Sequence, residues 1–541
     1  MTKKYILILL AVCFILLSAC KNSSSELQES PKQAPTTPAD ITTIQLNDNH
    51  ILVNGESIST NTDSSVYQAN DIVFYLTGQD FTYGEGSEED AHSQDEADKQ
   101  TVVHITKPGT YSVSGKLSAG QIAIDLGEDA KDDPNAVVNL ILDNVDINCQ
   151  VAPGIIFYNV FECGNKDENT ATFDVDTAAA GANIILADDS TNVVNGSHVA
   201  KIYKSVTLND EGTEVVDSKK LHKYDAAVYS KMSMNVCGEE KGTGELTINA
   251  DNEGLDSELH LTINSGNITI NSGNDGINTN EDGISVTTIN DGCLTINVTG
   301  TTGEGDGIDS NGWLVINGGT VNSFACGTSM DSGIDSDMGI YINGGTVIAS
   351  GNMLDRIANE ATTYSVFSFI KKVPANTTLT LKDETGNPIM EITSVNEFSN
   401  LLIANPQILP GTYTLWNGDV QYACLKDSKD GNHGHLPGKV DFPEELPHND
   451  EFDVMPPEGE PQRKLPIDKD ALEKMQPKDD ARVTAPAEED YPMDRPMFGK
   501  GERPDDFDMP DDKMNMLAVA TAPEFVITEG VNYFSYIEAI N

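Results

Sequence analysis

Between residues 253 and 352, apolar and polar positions alternate in short runs, and the runs repeat. Leu261-Thr262-Ile263-Asn264, Leu294-Thr295-Ile296-Asn297, Leu314-Val315-Ile316-Asn317 and Ile340-Tyr341-Ile342-Asn343 read as copies of one strand. Alternation with a period of two turns one face inward and the other to water. A turn recurs as Gly254-Leu255-Asp256-Ser257, Gly276-Ile277-Asn278-Thr279, Gly307-Ile308-Asp309-Ser310 and Gly333-Ile334-Asp335-Ser336. Corners such as Asn317-Gly318-Gly319-Thr320 lead into a second strand beginning at Ile268, Val321 or Val347. The period, about 22 to 31 residues, lies in the range where repeats build solenoids. Asn-Gly-Gly between strands usually marks an antiparallel hairpin. Hairpins, however, give no reason for one turn to recur once per unit, whereas stacked coils do. The pattern therefore predicts an all-β parallel β-helix.

The same alternation, less regular, runs from Thr101 through Val103-His104-Ile105, Gly109 to Gly115, Gln121 to Asp125, Val137 to Ile147, Gly154 to Val160 and Asn183 to Leu186. The helix is expected over 101–352, interrupted by insertions at Phe161–Ala180 and Lys201–Lys223. Short strands at Thr43 to Leu46, Ile51 to Val53 and Ile72 to Tyr75, followed by an acidic loop, make 41–100 an N-terminal cap. Residues 353–426 and 520–541 read as a small antiparallel C-terminal β-domain. Between them, 427–519 is rich in Pro, Asp, Glu, Met and Lys and is expected to be a disordered acidic insertion, since it cannot bury enough apolar surface to order itself.

The N-terminus has the form of an export signal. Lys3-Lys4 precedes an apolar run from Tyr5 to Leu17 that is too short to span a bilayer, and Leu17-Ser18-Ala19-Cys20 resembles a lipobox. That resemblance implies a signal peptide over 1–20, cleavage before Cys20, acylation of its thiol, and a flexible tether over 21–40. The expected location is the cell envelope, held to a membrane by the lipid on Cys20. An exported chain can form disulfides. Cys149, Cys163, Cys237, Cys293, Cys326 and Cys424 remain for pairing or as buried thiols; Cys149 and Cys163 could meet across adjacent strands. A formal net charge of −53 excludes nucleic acid as a partner, whose phosphates need Lys and Arg, and points to cations or neutral partners.

Gly109-Thr110-Tyr111-Ser112-Val113-Ser114-Gly115, Asp225-Ala226-Ala227-Val228-Tyr229-Ser230-Lys231, the Gly-Ile-Asp-Ser and Asn-Gly-Gly-Thr-Val coils and the split C-terminal strands together resemble one family. It is the bacterial family of secreted carbohydrate-binding domains that bind plant cell-wall polysaccharides such as polygalacturonate and cellulose. The resemblance covers roughly 42–424 and 520–538. It implies a right-handed parallel β-helix (solenoid) with a small C-terminal β-domain, and bound calcium. The chain departs from the family pattern in the insertion at 161–180 and in an acidic rather than Gly/Met-rich tail segment.

Stacked coils bring acidic residues into columns. Asp256, Asn278, Asp309 and Asp335 form one; Glu253, Asp275 and Asp306, with Asp331 nearby, form a second; Glu258, Asn280, Asn311 and Asp337 form a third. Rungs ~4.8 Å apart would set two carboxylates repelling by about 3–4 kcal/mol at an effective dielectric near 20. A cation midway would sit ~2.4 Å from oxygens on each rung, within the ~2.3–2.6 Å range of calcium, which accepts mixed carboxylate, amide and carbonyl oxygens. The competing reading is a solvated acidic edge. On the outer face, Trp313 and Tyr341 offer flat surfaces for pyranose rings, with His260, Thr262 and Thr295 on neighbouring rungs to bond hydroxyls. Trp313 could equally pack under a loop.

Catalysis fits the repeats poorly. From Thr243 to Asp355 there is neither Lys nor Arg, which removes the base of a calcium-dependent lyase. A hydrolase needs one carboxyl protonated, and a calcium-loaded column pushes the other way. No serine nucleophile elbow is present. The expectation is a non-catalytic, calcium-stabilised, lipid-anchored protein that binds an extracellular polysaccharide. The alternatives are a structural adhesin or envelope spacer and, behind it, a polysaccharide hydrolase.

Overall fold

A computed structural model describes residues 41–425 and 521–540, apart from 81, 85, 210, 214, 356 and 359–361. The expectations for Cys20, the signal, the tether and 427–519 lie outside the described residues.

The chain is all-β, and its repeats feed three ladders of parallel strands. On the first face Gly120–Asp125, Ile155–Asn159, Ala226–Ser230, Glu253–Ser257, Ile277–Thr279 and Ile308–Ser310 pair in succession. On the second face the order is Gly109–Leu117, Val138–Asn148, Ala182–Leu186, Met234–Gly238, His260–Ile263, Val286–Ile289, Trp313–Ile316 and Gly339–Ile342. The third runs Thr191–Gly196, Glu245–Ala250, Asn267–Ser272, Cys293–Val298, Thr320–Phe324 and Thr346–Gly351. One aliphatic core fills the space between them, with Leu255, Ile277, Ile308, Ile263, Ile289, Ile316, Ile270 and Ile296 all buried.

The recurring turn can be explained residue by residue. A Cβ on Gly254, Gly276 or Gly307 would lie 2.5, 2.5 and 2.3 Å from the carbonyl oxygen of Gly276, Gly307 and Gly333 respectively. Only glycine lets neighbouring rungs approach so closely. The aliphatic residue after it enters the core. The Ser turns inward at the corner, where the Ser257 and Ser310 hydroxyls donate to the carbonyls of His260 (3.1 Å) and Trp313 (3.0 Å). The Asp between them stays on the column. The Asn that closes each strand of the second face stacks into a ladder: the Asn290, Asn317 and Asn343 amides donate to Asn264, Asn290 and Asn317 at 2.9, 2.9 and 2.8 Å. A second ladder, Asn195-Asn249-Asn271-Asn297, lines the third face.

Several elements differ from the sequence expectation. Leu294-Thr295-Ile296-Asn297 belongs to the third face, where Thr295 opposes Thr269 and Asn322; the second-face strand of that rung is Val286–Ile289. Ile72 to Tyr75 forms no strand. Ile72 and Tyr75 instead pack into a side core with Val102, Ile156, Ile202 and Tyr229. The acidic loop carries a one-turn helix, Gln94–Ala97, closed by a capping box between Ser93 and Glu96. Within the second insertion, Val199–Leu208 and Val215–Tyr224 make a separate antiparallel hairpin. At the far end Phe398–Ala404 pairs antiparallel with Thr346–Gly351 and with Tyr364–Val373. That end sheet is mixed rather than antiparallel, because Val531–Ile540 runs parallel to Tyr364–Val373 and antiparallel to Val420–Leu425. Cys149 and Cys163 are not joined; both are thiols, as are Cys237, Cys293, Cys326 and Cys424.

Candidate functional site

Two constellations stand on this frame. The first is the acidic edge beside the first face. The register sets Asp256, Asn278 and Asp309 opposite one another, and the Asp335 amide donates to the Ile308 carbonyl at 2.7 Å one rung on. Glu253, Asp256, Asp275, Asn278, Asp306 and Asp331 are buried, Asp309 and Asp335 half-buried, and Asp337 exposed. Backbone amides hold part of the charge. Asp306 N–H donates to Asp275 Oδ1 (2.7 Å), Ser332 N–H to Asp306 Oδ1 (2.6 Å) and Gly305 N–H to Asp331 Oδ2 (2.6 Å). Asn280 Nδ2 donates to both oxygens of Asp256, at 2.8 and 3.0 Å.

These bonds leave the edge short of positive charge. Burial, and then Asp225, Asp256 and Asp275, push the Glu253 carboxyl well above its ordinary pKa. Burial, followed by Glu258 and Asp225, does the same to Asp256; burial, followed by Asp335, Asp275 and Asp309, does so to Asp306. Glu253 Oε2 and Asn278 Oδ1 are buried oxygens with no hydrogen-bond partner. Orphaned acceptors of this kind are costly without a donor or a cation. Among the described residues no three His, Cys, Asp or Glu side chains converge as a metal cluster. A cation here would draw on Asn and carbonyl oxygens too, as calcium does.

Sequence reasoning missed the lysines that reach this edge. Lys223, from the hairpin, pairs with Asp225 at 3.0 Å, and Lys166, from the first insertion, pairs with Glu281 at 3.0 Å. Burial raises the pKa of Glu258, but Lys220, the Tyr229 hydroxyl, Lys166 and Lys223 outweigh it and hold the carboxyl below its ordinary value. The five lysines of 201–223 were the available signal. Their target is set by the fold and not by their spacing.

The second constellation is on the outer side of the second face. Asn235, Thr262, Thr288, Val315 and Tyr341 stand opposite one another in successive strands. The first insertion crosses this row. Thr177 Oγ1 bonds Asn235 Oδ1 (2.8 Å) and Thr262 Oγ1 (2.7 Å), and Ser233 N–H donates to Glu162 Oε2 at 2.8 Å. Farther along, the Phe173 ring stacks on Tyr341, centroids 4.2 Å apart and planes 20° apart. Between the insertion and the ladder lies a groove of about 340 Å³, walled by Phe173, Asp174 and Asp176 and floored by Thr288, Val315 and the Asn264 to Asn343 ladder.

The groove rearranges the predicted sugar contacts. Thr262 lines it but is mostly covered, and Tyr341 presents its ring to Phe173. His260 is buried, with Gly164 packed against its ring and its Nδ1 accepting from Val286 N–H at 3.1 Å. Trp313 opposes Val286 and Gly339 away from the groove, and Thr295 is on another face. Phe173, Asp174, Asp176 and Thr288 were missed, because what covers a face is a long-range contact.

Fold and site together define an all-β protein with a polar groove and an aromatic stack, suited to a hydroxyl-rich ligand. The model of the family described as carbohydrate-binding domain-containing protein matches residues 99–383, more than half of the chain, and the chain belongs to that family. A carbohydrate-binding domain-containing protein of Acetivibrio thermocellus is 32% identical over 168 residues, 31% of this chain and 43% of that protein. The chain thus spans less than half the length of that relative. The structure of a polysaccharide lyase-like protein from C. thermocellum, a gadolinium derivative, is 20% identical, over 59% of this chain and 98% of the other, with a TM-score of 0.31.

Proposed function

We propose that the chain is a non-catalytic carbohydrate-binding lipoprotein, built as a right-handed parallel β-helix and stabilised by calcium. The observation that carries the binding reading is the groove of about 340 Å³ beneath residues 173–178, within the usual size range of ligand sites. Its Asn ladder offers amide donors and acceptors to hydroxyls, and Phe173 offers an aromatic ring. Binding rather than cleavage is supported by two of the lysines that reach the carboxylates, since Lys166 and Lys223 are each engaged in an ion pair.

Calcium suits the acidic edge, where Glu253, Asp256, Asp275, Asn278, Asp306, Asp309, Asp331, Asp335 and Asp337 are the residues to hold it. The orphaned oxygens of Glu253 and Asn278 support this. Such ions would neutralise stacked carboxylates and pin rung to rung. Export and a lipid on Cys20 would place the groove outside the cytoplasm, in the cell envelope. Metabolic labelling with a fatty acid tests the anchor: wild type should take up label and Cys20→Ala should not, and unlabelled wild type would overturn it.

The function is tested on a glycan array with Phe173→Ala alongside wild type, in calcium and in chelator. Wild type should retain a polysaccharide in calcium and lose it in chelator, and Phe173→Ala should bind it weakly. Absence of any retained glycan, or unchanged binding by Phe173→Ala, would overturn the assignment to this groove.

A further inference from the structure

Resting on the groove just described, we infer that its wall is a hinged flap, latched by Phe173 on Tyr341, that opens to admit a glycan chain sideways. The two ends of the flap are fixed at one place. Upstream, Glu162 Oε2 accepts from Ser233 N–H at 2.8 Å, and Gly164 is wedged so tightly that a Cβ on it would lie 2.7 Å from the His260 ring. Downstream, Thr177 Oγ1 bonds Asn235 (2.8 Å) and Thr262 (2.7 Å), and Asn235 Nδ2 donates to the Thr177 carbonyl at 2.8 Å. Both anchors therefore sit at the neighbouring strands Met234–Gly238 and His260–Ile263.

The tip lies far from this base. Tyr341 is three strands on from His260–Ile263, by way of Val286–Ile289 and Trp313–Ile316, or about 14 Å along the stack at the usual strand spacing. There the Phe173 ring stacks on Tyr341, centroids 4.2 Å apart, while staying 41% exposed. Among the described residues, no hydrogen bond or ion pair joins 171–176 to the strands beneath. Thr172 Oγ1 donates to the Asp174 carbonyl, and Asp176 Oδ1 accepts from Ala178 N–H, both within the insertion.

The two contacts differ in what it takes to break them. At the base, Thr177 is 4% exposed, so parting it from Asn235 and Thr262 strands buried donors and acceptors. At the tip, losing one aromatic pair shifts an equilibrium by only about two- to thirteenfold. A segment held this way opens locally at its tip. It turns about Thr177, whose carbonyl accepts from Ala180 N–H at 2.9 Å to close a turn.

What the flap covers gives the motion its use. Thr288 and Val315 face outward between base and tip and line the groove, yet both are buried. A polymer with no end nearby cannot thread beneath a closed flap and must enter from the side. Opening at Phe173 uncovers Thr288, Val315 and the Tyr341 ring in one line beside the Asn ladder, and reclosing holds the chain there.

Chymotrypsin reads the latch directly, because cutting after Phe173 requires its ring to leave Tyr341 and enter the protease. Cleavage of the Phe173–Asp174 bond in the full chain is followed by mass spectrometry. Tyr341→Leu removes the latch and should speed that cut by about two- to thirteenfold with the melting temperature unchanged, whereas Thr177→Val should lower the melting temperature. In wild type, a β-1,4-linked glucose hexamer or a galacturonate hexamer, each at a concentration that saturates binding by calorimetry, should slow the cut. An unchanged cut in Tyr341→Leu, or a bound hexamer that leaves the cut as fast as before, would overturn the flap and leave the groove as a fixed site. Tyr341→Leu melting as low as Thr177→Val would make the stack a structural contact and not a latch. If neither hexamer bound, the groove reading itself would fall, and the flap's role with it.

Discussion

Asp306 is where the charge economy of the acidic edge can be measured most directly. Its carboxyl is buried, accepts the Ser332 amide at 2.6 Å and is raised by burial and by Asp335, Asp275 and Asp309. With neighbouring rungs ~4.8 Å apart, one like-charge pair at an effective dielectric near 20 costs about 3 kcal/mol. Asp306→Asn keeps the Oδ1 acceptor and turns the second oxygen into a donor aimed at carboxylates. In chelator, the variant should therefore be more stable than wild type by about 2–3 kcal/mol. Calcium bound at the proposed site should reverse the comparison. An ion held by the folded state would add about 2.7 kcal/mol at a hundredfold excess over its dissociation constant, and the variant would have lost one charged ligand. Denaturant unfolding of both proteins, each in chelator and in calcium, gives the four numbers. The reasoning is refuted if Asp306→Asn is destabilising by the same amount in both media, for the carboxylate would then be an ordinary hydrogen-bonded group.

Two further outcomes follow from other parts of the frame. Burial, with Lys166 adding to it, lowers the His260 pKa from 6.5 to about 4, so the folded state favours the neutral ring and its stability falls as pH drops from about 6.5 to about 4. The full loss is about 3 kcal/mol, and His260→Gln should flatten that limb of the pH–stability curve measured in calcium; an unchanged limb would place the acid sensitivity elsewhere. Gly276→Ala would force a Cβ to within 2.5 Å of the Gly307 carbonyl and 2.2 Å of Ile296, which should cost about 1–3 kcal/mol or more. Gly283→Ala, with nothing within 4 Å and only a φ of +67° to strain it, should cost about 1 kcal/mol, and equal losses would deny the tight rung contact.

How much was legible depended on whether a residue's role is set by its own repeat. The turn was legible because each position answers to the identical position one rung away: glycine to a carbonyl, Ile to the core, Ser to the corner, Asp to the column. Those constraints are local in the stack, so they recur in the sequence. Leu294-Thr295-Ile296-Asn297 shows where that logic fails. Strands on the second and third faces both alternate, and both end in an Asn that joins a ladder. The same four letters therefore satisfy either face, and only the pairing of Thr295 with Thr269 and Asn322 decides. The groove lay further out of reach. Its floor is periodic, but its wall is the non-repeating segment 161–180, and nothing in Phe173-Asp174-Val175-Asp176 states that it will cross a ladder ending at Tyr341, more than 160 residues on. The lysines of the acidic edge follow the same rule, since Lys166 and Lys223 come from the two insertions and meet partners chosen by the fold. In a stacked architecture the repeats build a surface with generic chemistry, polar and evenly spaced, and the interruptions give it an address. Substitutions in 161–180 should therefore shift which glycan is held, whereas substitutions in the turns should shift whether the stack stands at all.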